Sequence, residues 1–203
     1  MELVSPENID ILSGLTNLEA VRVEDCHSLN FLLDLPKLSE LGVSFSWAEE
    51  SDLDVVLKLS NLTALEVSSW RYSFSVTHLT NLRGLSFIGP IETMDFSAMP
   101  HLTHLAVYPH NSIPSLVSRL PPNIQYFSIP TKSVNANEVE TISNYPTLSV
   151  LNVRDFDTED IQCLSRLTKL ESVDISQIRL GTDFTLNYHI LFNRTIDCWW
   201  KQP

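Results

Sequence analysis

Eight times along this chain the same phrase returns: an apolar anchor, two variable residues, a second anchor, two more variable residues, then an apolar-variable-apolar step. The first copy is Leu15-Thr16-Asn17-Leu18-Glu19-Ala20-Val21-Arg22-Val23. Its anchors are answered by Leu35, Leu38, Leu41 and Val43; by Leu59, Leu62, Leu65 and Val67; by Leu79, Leu82, Leu85 and Phe87; and by Met99, Leu102, Leu105 and Val107. The sixth copy, Leu120, Ile124, Phe127 and Ile129, holds one extra residue in Pro121-Pro122-Asn123, and the last two are Tyr145, Leu148, Leu151, Val153 and Leu167, Leu170, Val173, Ile175. Successive first anchors lie about 20, 24, 20, 20, 21, 25 and 22 residues apart. A fixed period of this length marks an array of stacked units rather than one enlarged core.

Local physics agrees. In the apolar-variable-apolar step, period-two alternation sends the apolar side chains to one face of a short strand and the variable ones to the other. One repeat buries too few anchors to offset the entropy of ordering its backbone, so stability has to accumulate through interfaces between neighbours. The return segments are short, which leaves room only for a short helix, a 3₁₀ turn or an extended arc. Ser5-Pro6-Glu7 reads as a helix start running toward Leu12, Ser51-Asp52 opens a helix through Leu59, Asn135 to Asn137 opens one at Val139 to Ile142, and Thr158-Glu159-Asp160 opens one from Ile161.

The phrases Leu15-Thr16-Asn17-Leu18-Glu19 and Leu167-Thr168-Lys169-Leu170-Glu171 resemble the leucine-rich repeat family, most closely its short, internalin-like class. The resemblance covers about residues 12–178. It implies an α/β fold: a right-handed solenoid with a parallel concave sheet and short helices, 3₁₀ turns or arcs on the convex side. Residues 1–203 are expected to form a single domain, with 179–203 as a C-terminal cap rich in Phe184, Phe192, Trp199 and Trp200, and with thin cover before the first copy that points to upstream repeats. The position of the family's buried Asn or Cys ladder holds Cys26, Ser46, Trp70, Pro90, His110, Lys132, Phe156 and Ile178 here, regular only in the first copies, so looser turns are expected in the later ones.

Composition narrows the function. The balance of 13 Lys+Arg against 25 Asp+Glu gives a formal net charge of -12, whose field repels phosphate backbones and anionic lipid, so neither nucleic acid nor membrane insertion is expected. Cys26, Cys163 and Cys198 form no C-x-x-C pair and suggest reduced thiols, two of them in the core. With no leader-like start and no apolar run of about 18 residues, the expectation is a cytoplasmic protein. Against this, the sequons Asn61-Leu62-Thr63 and Asn193-Arg194-Thr195 would carry glycans only in a secreted one. The 5 Gly are scattered and build no phosphate cradle, no nucleophile is fixed beside a base, and no cofactor is implied. The acidic run Asp155, Asp157, Glu159, Asp160 reads as the solvated start of a helix. His101, His104 and His110 invite a metal-dependent enzyme as a remote alternative, but residues three apart on a strand diverge, and no metal site is expected.

The work is therefore assigned to the concave sheet. Its outward columns are Arg22, Gly42, Glu66, Ser86, Ala106, Ser128, Asn152, Asp174 in the centre, a flank from Ala20 to Ser172 that contains His104 and Tyr126, and a flank from Glu24 to Ser176 that contains Ile88, Tyr108 and Arg154. Small residues form a floor in copies four to six, and Ile88, His104, Tyr108 and Tyr126 rise from it, with Arg154 at the margin. That is the composition of a binding centre, although Tyr and Ile also favour strands on their own account. Trp47, Trp70, Arg71 and Tyr72 follow strands two and three, where they line a rim or pack under loops. The leading expectation is an adaptor gripping a protein or peptide on this face; the alternative is the recognition or receptor segment of a larger protein.

Overall fold

Each of the eight apolar-variable-apolar steps forms a strand, in the position its pattern dictates. The computed structural model describes residues 2–4, 9–24, 26, 28–45, 50–69, 75–76, 78–90, 94–108, 116–157, 168–179 and 185–186. The chain divides into two compact units, Met1–Ile124 and Gln125–Pro203.

In the first unit the strands are β1 (Glu2–Val4), β2 (Ala20–Glu24), β3 (Glu40–Phe45), β4 (Ala64–Ser69), β5 (Gly84–Ile88) and β6 (His104–Tyr108), paired parallel in that order. The anchors stack in strict register, Val21 on Leu41 on Leu65 on Leu85 on Leu105, then Val23 on Val43 on Val67 on Phe87 on Val107. All ten are buried. β1 lies outside the eight-copy pattern; it pairs Leu3 with Val23. The return segments are the 3₁₀ helices Ile9–Gly14, Asn30–Asp34, Phe96–Ala98 and Leu116–Arg119, and one α-helix, α1 (Glu50–Lys58), which fills the first long period as the sequence suggested.

The three-residue spacing of the anchors before each strand has a direct cause. The amide of the second anchor donates to the carbonyl three residues earlier in the first five copies, among them Leu18 to Leu15 at 2.9 Å, Leu38 to Leu35 at 3.1 Å, Leu82 to Leu79 at 3.1 Å and Leu102 to Met99 at 3.2 Å. These are 3₁₀-type turns, with three residues per turn, so anchors three apart eclipse on one face. In the sixth copy the bond runs from Ile124 to Pro121, so Pro121 takes the place in the turn that the repeat pattern assigns to Leu120, and both are buried.

The second unit contains β7 (Tyr126–Asn135), α2 (Ala136–Ser143), β8 (Val150–Asp157), β9 (Ser172–Arg179) and β10 (Thr185–Leu186). β7, β8 and β9 are parallel neighbours with Phe127, Leu151 and Val173 in register, whereas β10 runs antiparallel to β9. Between Ile129 and Ser133 the β7 register shifts against β8, a bulge that includes Pro130, which has no amide to offer a ladder. α2 begins with a capping box: Asn135 Oδ1 accepts from the Glu138 amide and Glu138 Oε2 accepts from the Asn135 amide, both at 3.1 Å.

Several expectations are corrected. Leu15 is 45% exposed, because a stacked anchor is covered fully only with a layer on both sides. Leu170 and Val173 are half-buried. Phe156 and Ile178 do not sit in loose turns: β8 and β9 run on through them as register partners, so the sheet ladder satisfies backbone that a side-chain ladder would otherwise serve. For the same reason Asp155 and Asp157 belong to a strand rather than to a helix start. Ser5 to Glu7, Ser46, Trp47, Trp70 to Tyr72, His110, Glu159, Asp160, the helix expected from Ile161, Cys163, Asn193, Cys198 and the aromatic residues of the expected cap lie outside the described residues.

A ladder does exist, one position before each strand. The carbonyls of Glu19, Ser39, Thr63 and Arg83 in the first unit, and of Gln125 and Ser149 in the second, each accept two amides from the following repeat. In four copies a hydroxyl joins them: Ser39 Oγ donates to Glu19 O at 3.3 Å, Thr63 Oγ1 to Ser39 O at 3.2 Å, Thr103 Oγ1 to Arg83 O at 3.1 Å and Ser149 Oγ to Gln125 O at 3.3 Å. A second set lies in the preceding turn, where Asn81 Nδ2 donates to Ser60 O and Asn123 Nδ2 to Pro100 O. These bonds tie each layer to the next through groups that the turns would otherwise leave to water.

Candidate binding face

Alternation along the strands puts the variable residues on the face opposite the core, and parallel register lines them up across the sheet. In the first unit this gives three rows: Ala20, Glu40, Ala64, Gly84, His104; then Arg22, Gly42, Glu66, Ser86, Ala106; then Glu24, Ser44, Ser68, Ile88, Tyr108. Toward β5 and β6 the middle row sinks. Ser86 is 8% and Ala106 2% exposed, although both point away from the core. Ile88, His104 and Tyr108 beside them are half-buried, and Ile88 is the register partner of Tyr108. The expected small-residue floor with larger side chains at its margin is present in these two strands. Just past Ile88 the chain turns at Gly89, whose φ of 150° favours glycine and whose amide donates to Tyr108 O at 3.3 Å.

His104 has a defined hydrogen-bond environment. Its Nδ1 lies 2.9 Å from Thr103 Oγ1, a hydroxyl that is also within 3.1 Å of the Arg83 carbonyl. Burial pushes the pKa of His104 below the ordinary imidazole value of 6.5. His101 is exposed in the turn before β6. Among the described residues, no three His, Cys, Asp or Glu side chains are grouped as a metal ion would need. Cys26 is half-buried, and its thiol donates to Ser28 O at 3.0 Å.

In the second unit the corresponding rows begin with Tyr126, Val150, Ser172 and with Ser128, Asn152, Asp174. Tyr126 is half-buried, Ser128 is 1% exposed and Arg154 is exposed opposite the β7 bulge. The expected site residues thus fall into two groups, Ile88, His104 and Tyr108 in one unit and Tyr126 and Arg154 in the other.

The first unit also carries a feature that the repeat pattern alone does not single out. Arg22 on β2 reaches across β3 to Glu66 on β4, with Nη1 to Oε2 at 2.8 Å and Nη2 to Oε1 at 3.2 Å. Gly42 lies between them in register, and a Cβ there would stand 3.2 Å from Arg22 Cγ. Arg22 Nε is also 3.6 Å from Glu24 Oε1. Above this bridge a depression of about 190 Å³ opens between Glu24, Ser44, Glu66, Ser68 and Ile88. A glycine in mid-strand, at the same phase as an arginine before it and a glutamate after it, is the sequence signal that finds it.

No family model matches the chain. No curated protein matches it either. Among solved structures, an internalin (inlF) from Listeria monocytogenes superposes with a TM-score of 0.55 at 21% identity, covering 84% of this chain and 58% of its own. This is a leucine-rich repeat fold. A leucine-rich repeat protein from Leptospira interrogans also aligns, with a TM-score of 0.48, 13% identity and coverage of 88% of this chain and 55% of its own. The chain therefore spans less than two thirds of the length of either structure, and at these identities the likeness concerns the repeat architecture alone. Among the described residues no helix is long and apolar enough to cross a membrane.

Proposed function

We propose that this leucine-rich repeat chain is an interaction scaffold rather than an enzyme, and that it holds a protein or peptide partner on the outward face of its sheet. The observation that carries this reading is the buried floor of Ser86 and Ala106 with Ile88, His104 and Tyr108 half-buried at its edge. Small residues there let a partner approach the backbone closely, and partly covered aromatic and aliphatic side chains give large contact area with few rotors to freeze. The outward rows of the second unit carry their own anchor in half-buried Tyr126, and exposed Arg154 there sets orientation and on-rate more than affinity. The rest of the support is the fold, since repeat sheets of this kind offer an extended surface of parallel strands.

The test is affinity capture with the wild type and with Tyr108→Ala/Tyr126→Ala, the variant first shown by circular dichroism to be folded. A partner kept by the wild type is expected to be lost, each truncation weakening binding by about 2 kcal/mol, on the order of a hot-spot residue. Normal binding by the double variant, with loss on changing Trp70 or Trp199 instead, would move the functional surface elsewhere. A second reading, that the chain is the recognition segment of a longer protein, is favoured by its spanning 58% of the internalin structure.

A further inference from the structure

We infer that the outward face of the first unit selects an extended, basic peptide segment: a lysine or arginine of the partner enters the depression above Gly42, and an apolar residue about four positions away lies on Ile88. This rests on the reading of the outward face as the partner-binding surface and names the chemistry that surface prefers.

The size of the depression comes first. At about 190 Å³ it is smaller than the roughly 300 Å³ or more of a metabolite pocket, and it suits a single side chain. Its charge comes next. The outward rows of β2 to β6 carry three carboxylates, Glu24, Glu40 and Glu66, against one guanidinium, Arg22. That guanidinium is held bidentately by Glu66, so an incoming anion would have to compete with a fixed carboxylate and face Glu24 as a like charge. An incoming cation meets Glu24, whose side chain is 39% exposed, and the Ser44 and Ser68 hydroxyls as further acceptors. The formal net charge of -12 steers a basic segment toward the molecule over longer range.

Register supplies the spacing. Glu24, Ser44, Ser68, Ile88 and Tyr108 form one continuous row, so the line from the depression to the aliphatic wall crosses the strands rather than following them. From Glu24 to Ile88 is three strand spacings, about 14 Å at ~4.8 Å each, which an extended peptide covers in about four residues at ~3.3 Å per residue. The Arg22–Glu66 bridge, lying over Gly42, forms the floor of this track, and the lack of a side chain at Gly42 keeps that floor low.

The experiment uses the full chain and fluorescein-labelled synthetic peptide pools. One position is fixed as Arg, Gln or Glu, the fourth residue after it is fixed as Leu, and the others are randomised over uncharged residues. Fluorescence anisotropy at moderate salt is expected to show the Arg pool binding at least about tenfold tighter than the Gln pool, and the Glu pool weakest. In Glu24→Gln, a solvent-accessible change that leaves the core untouched, the Arg-to-Gln ratio should fall close to one. Gly42→Val, which fills the floor, should lower it likewise. An Arg pool no tighter than the Gln pool, no binding by any pool, or a preference that survives Glu24→Gln would overturn the inference. Tyr108→Ala separates it from the reading beneath it. Weakening of all pools alike upholds the aromatic anchor whatever the charge preference, whereas an Arg preference that persists with Tyr108→Ala binding at full strength upholds the basic track and removes the anchor.

Discussion

The first and second units are built from one phrase, yet they use extra residues differently. In the first, strands stay at five or six residues after β1, and the long period between Leu35 and Leu59 is absorbed by α1 on the return side. In the second, the long period between Leu120 and Tyr145 is divided: β7 grows to ten residues through a bulge, and α2 follows it at once. A consequence is an ion pair that links the strand end to the helix after it. Lys132, in the bulge, pairs with Glu138 of α2, and their side chains are only 14% and 12% exposed. Lengthening a repeat on its return side leaves the sheet regular. Lengthening it at the strand end demands a new set of polar partners, because a bulge frees backbone and side chains that the ladder no longer holds.

The largest effect expected from this contrast lies in the stacked anchors. Leu85 is buried between Leu65 and Leu105, so Leu85→Ala should cost about 2–5 kcal/mol, whereas half-buried Val173, toward the end of the second unit's stack, should cost about 1 kcal/mol on change to Ala. Urea denaturation of the two variants measures both, and equal losses would break the distinction between interior and terminal layers.

A middle-sized effect sharpens it. Reading the sequence alone places Glu138 on a solvated convex face and makes Glu138→Ala near neutral. In the structure Glu138 closes the capping box and pairs with partly buried Lys132, so the same change should cost about 2 kcal/mol. Exposed Glu140 on the same helix is the control, expected within about 0.5 kcal/mol of the wild type on change to Ala. A melting temperature as unmoved in Glu138→Ala as in Glu140→Ala would show that the bulge and helix do not depend on their polar link.

The smallest effect is one of pH and belongs to the first unit, since the described residues of the second contain no histidine. Burial lowers the pKa of His104 in the folded chain, so the unfolded chain binds its proton more readily. Its contribution to stability is therefore complete above the ordinary value of 6.5 and is lost progressively as pH falls from there through the folded value. Chemical denaturation of the wild type and His104→Gln should give a stability difference, wild type minus variant, that is constant above pH 6.5 and falls as pH is lowered through that window; a difference independent of pH would mean that the imidazole is not desolvated.

Much of this molecule is legible in its amino-acid order. Period-two alternation locates the centres of all eight strands of the repeat, the three-residue anchor spacing implies tight turns, and the two longest periods mark the two α-helices of the described residues. These signals are local, since a residue's own neighbours decide which face it occupies and whether its backbone turns. What the local pattern leaves open is the partner of each polar group. Arg22 finds Glu66 44 residues away, over a glycine on the strand between them, and Thr103 finds the Arg83 carbonyl 20 residues away. Glu138 of α2 meets Lys132, which lies where the β7 register shifts. Ser86 and Ala106 are shielded on a face that alternation alone assigns to solvent. The sequence by itself determined the layers and the face on which each residue lies, because those follow from short-range geometry; the hydrogen bonds between layers, the ion pairs and the depth of the outward face were decided only when stacking brought distant repeats into one register.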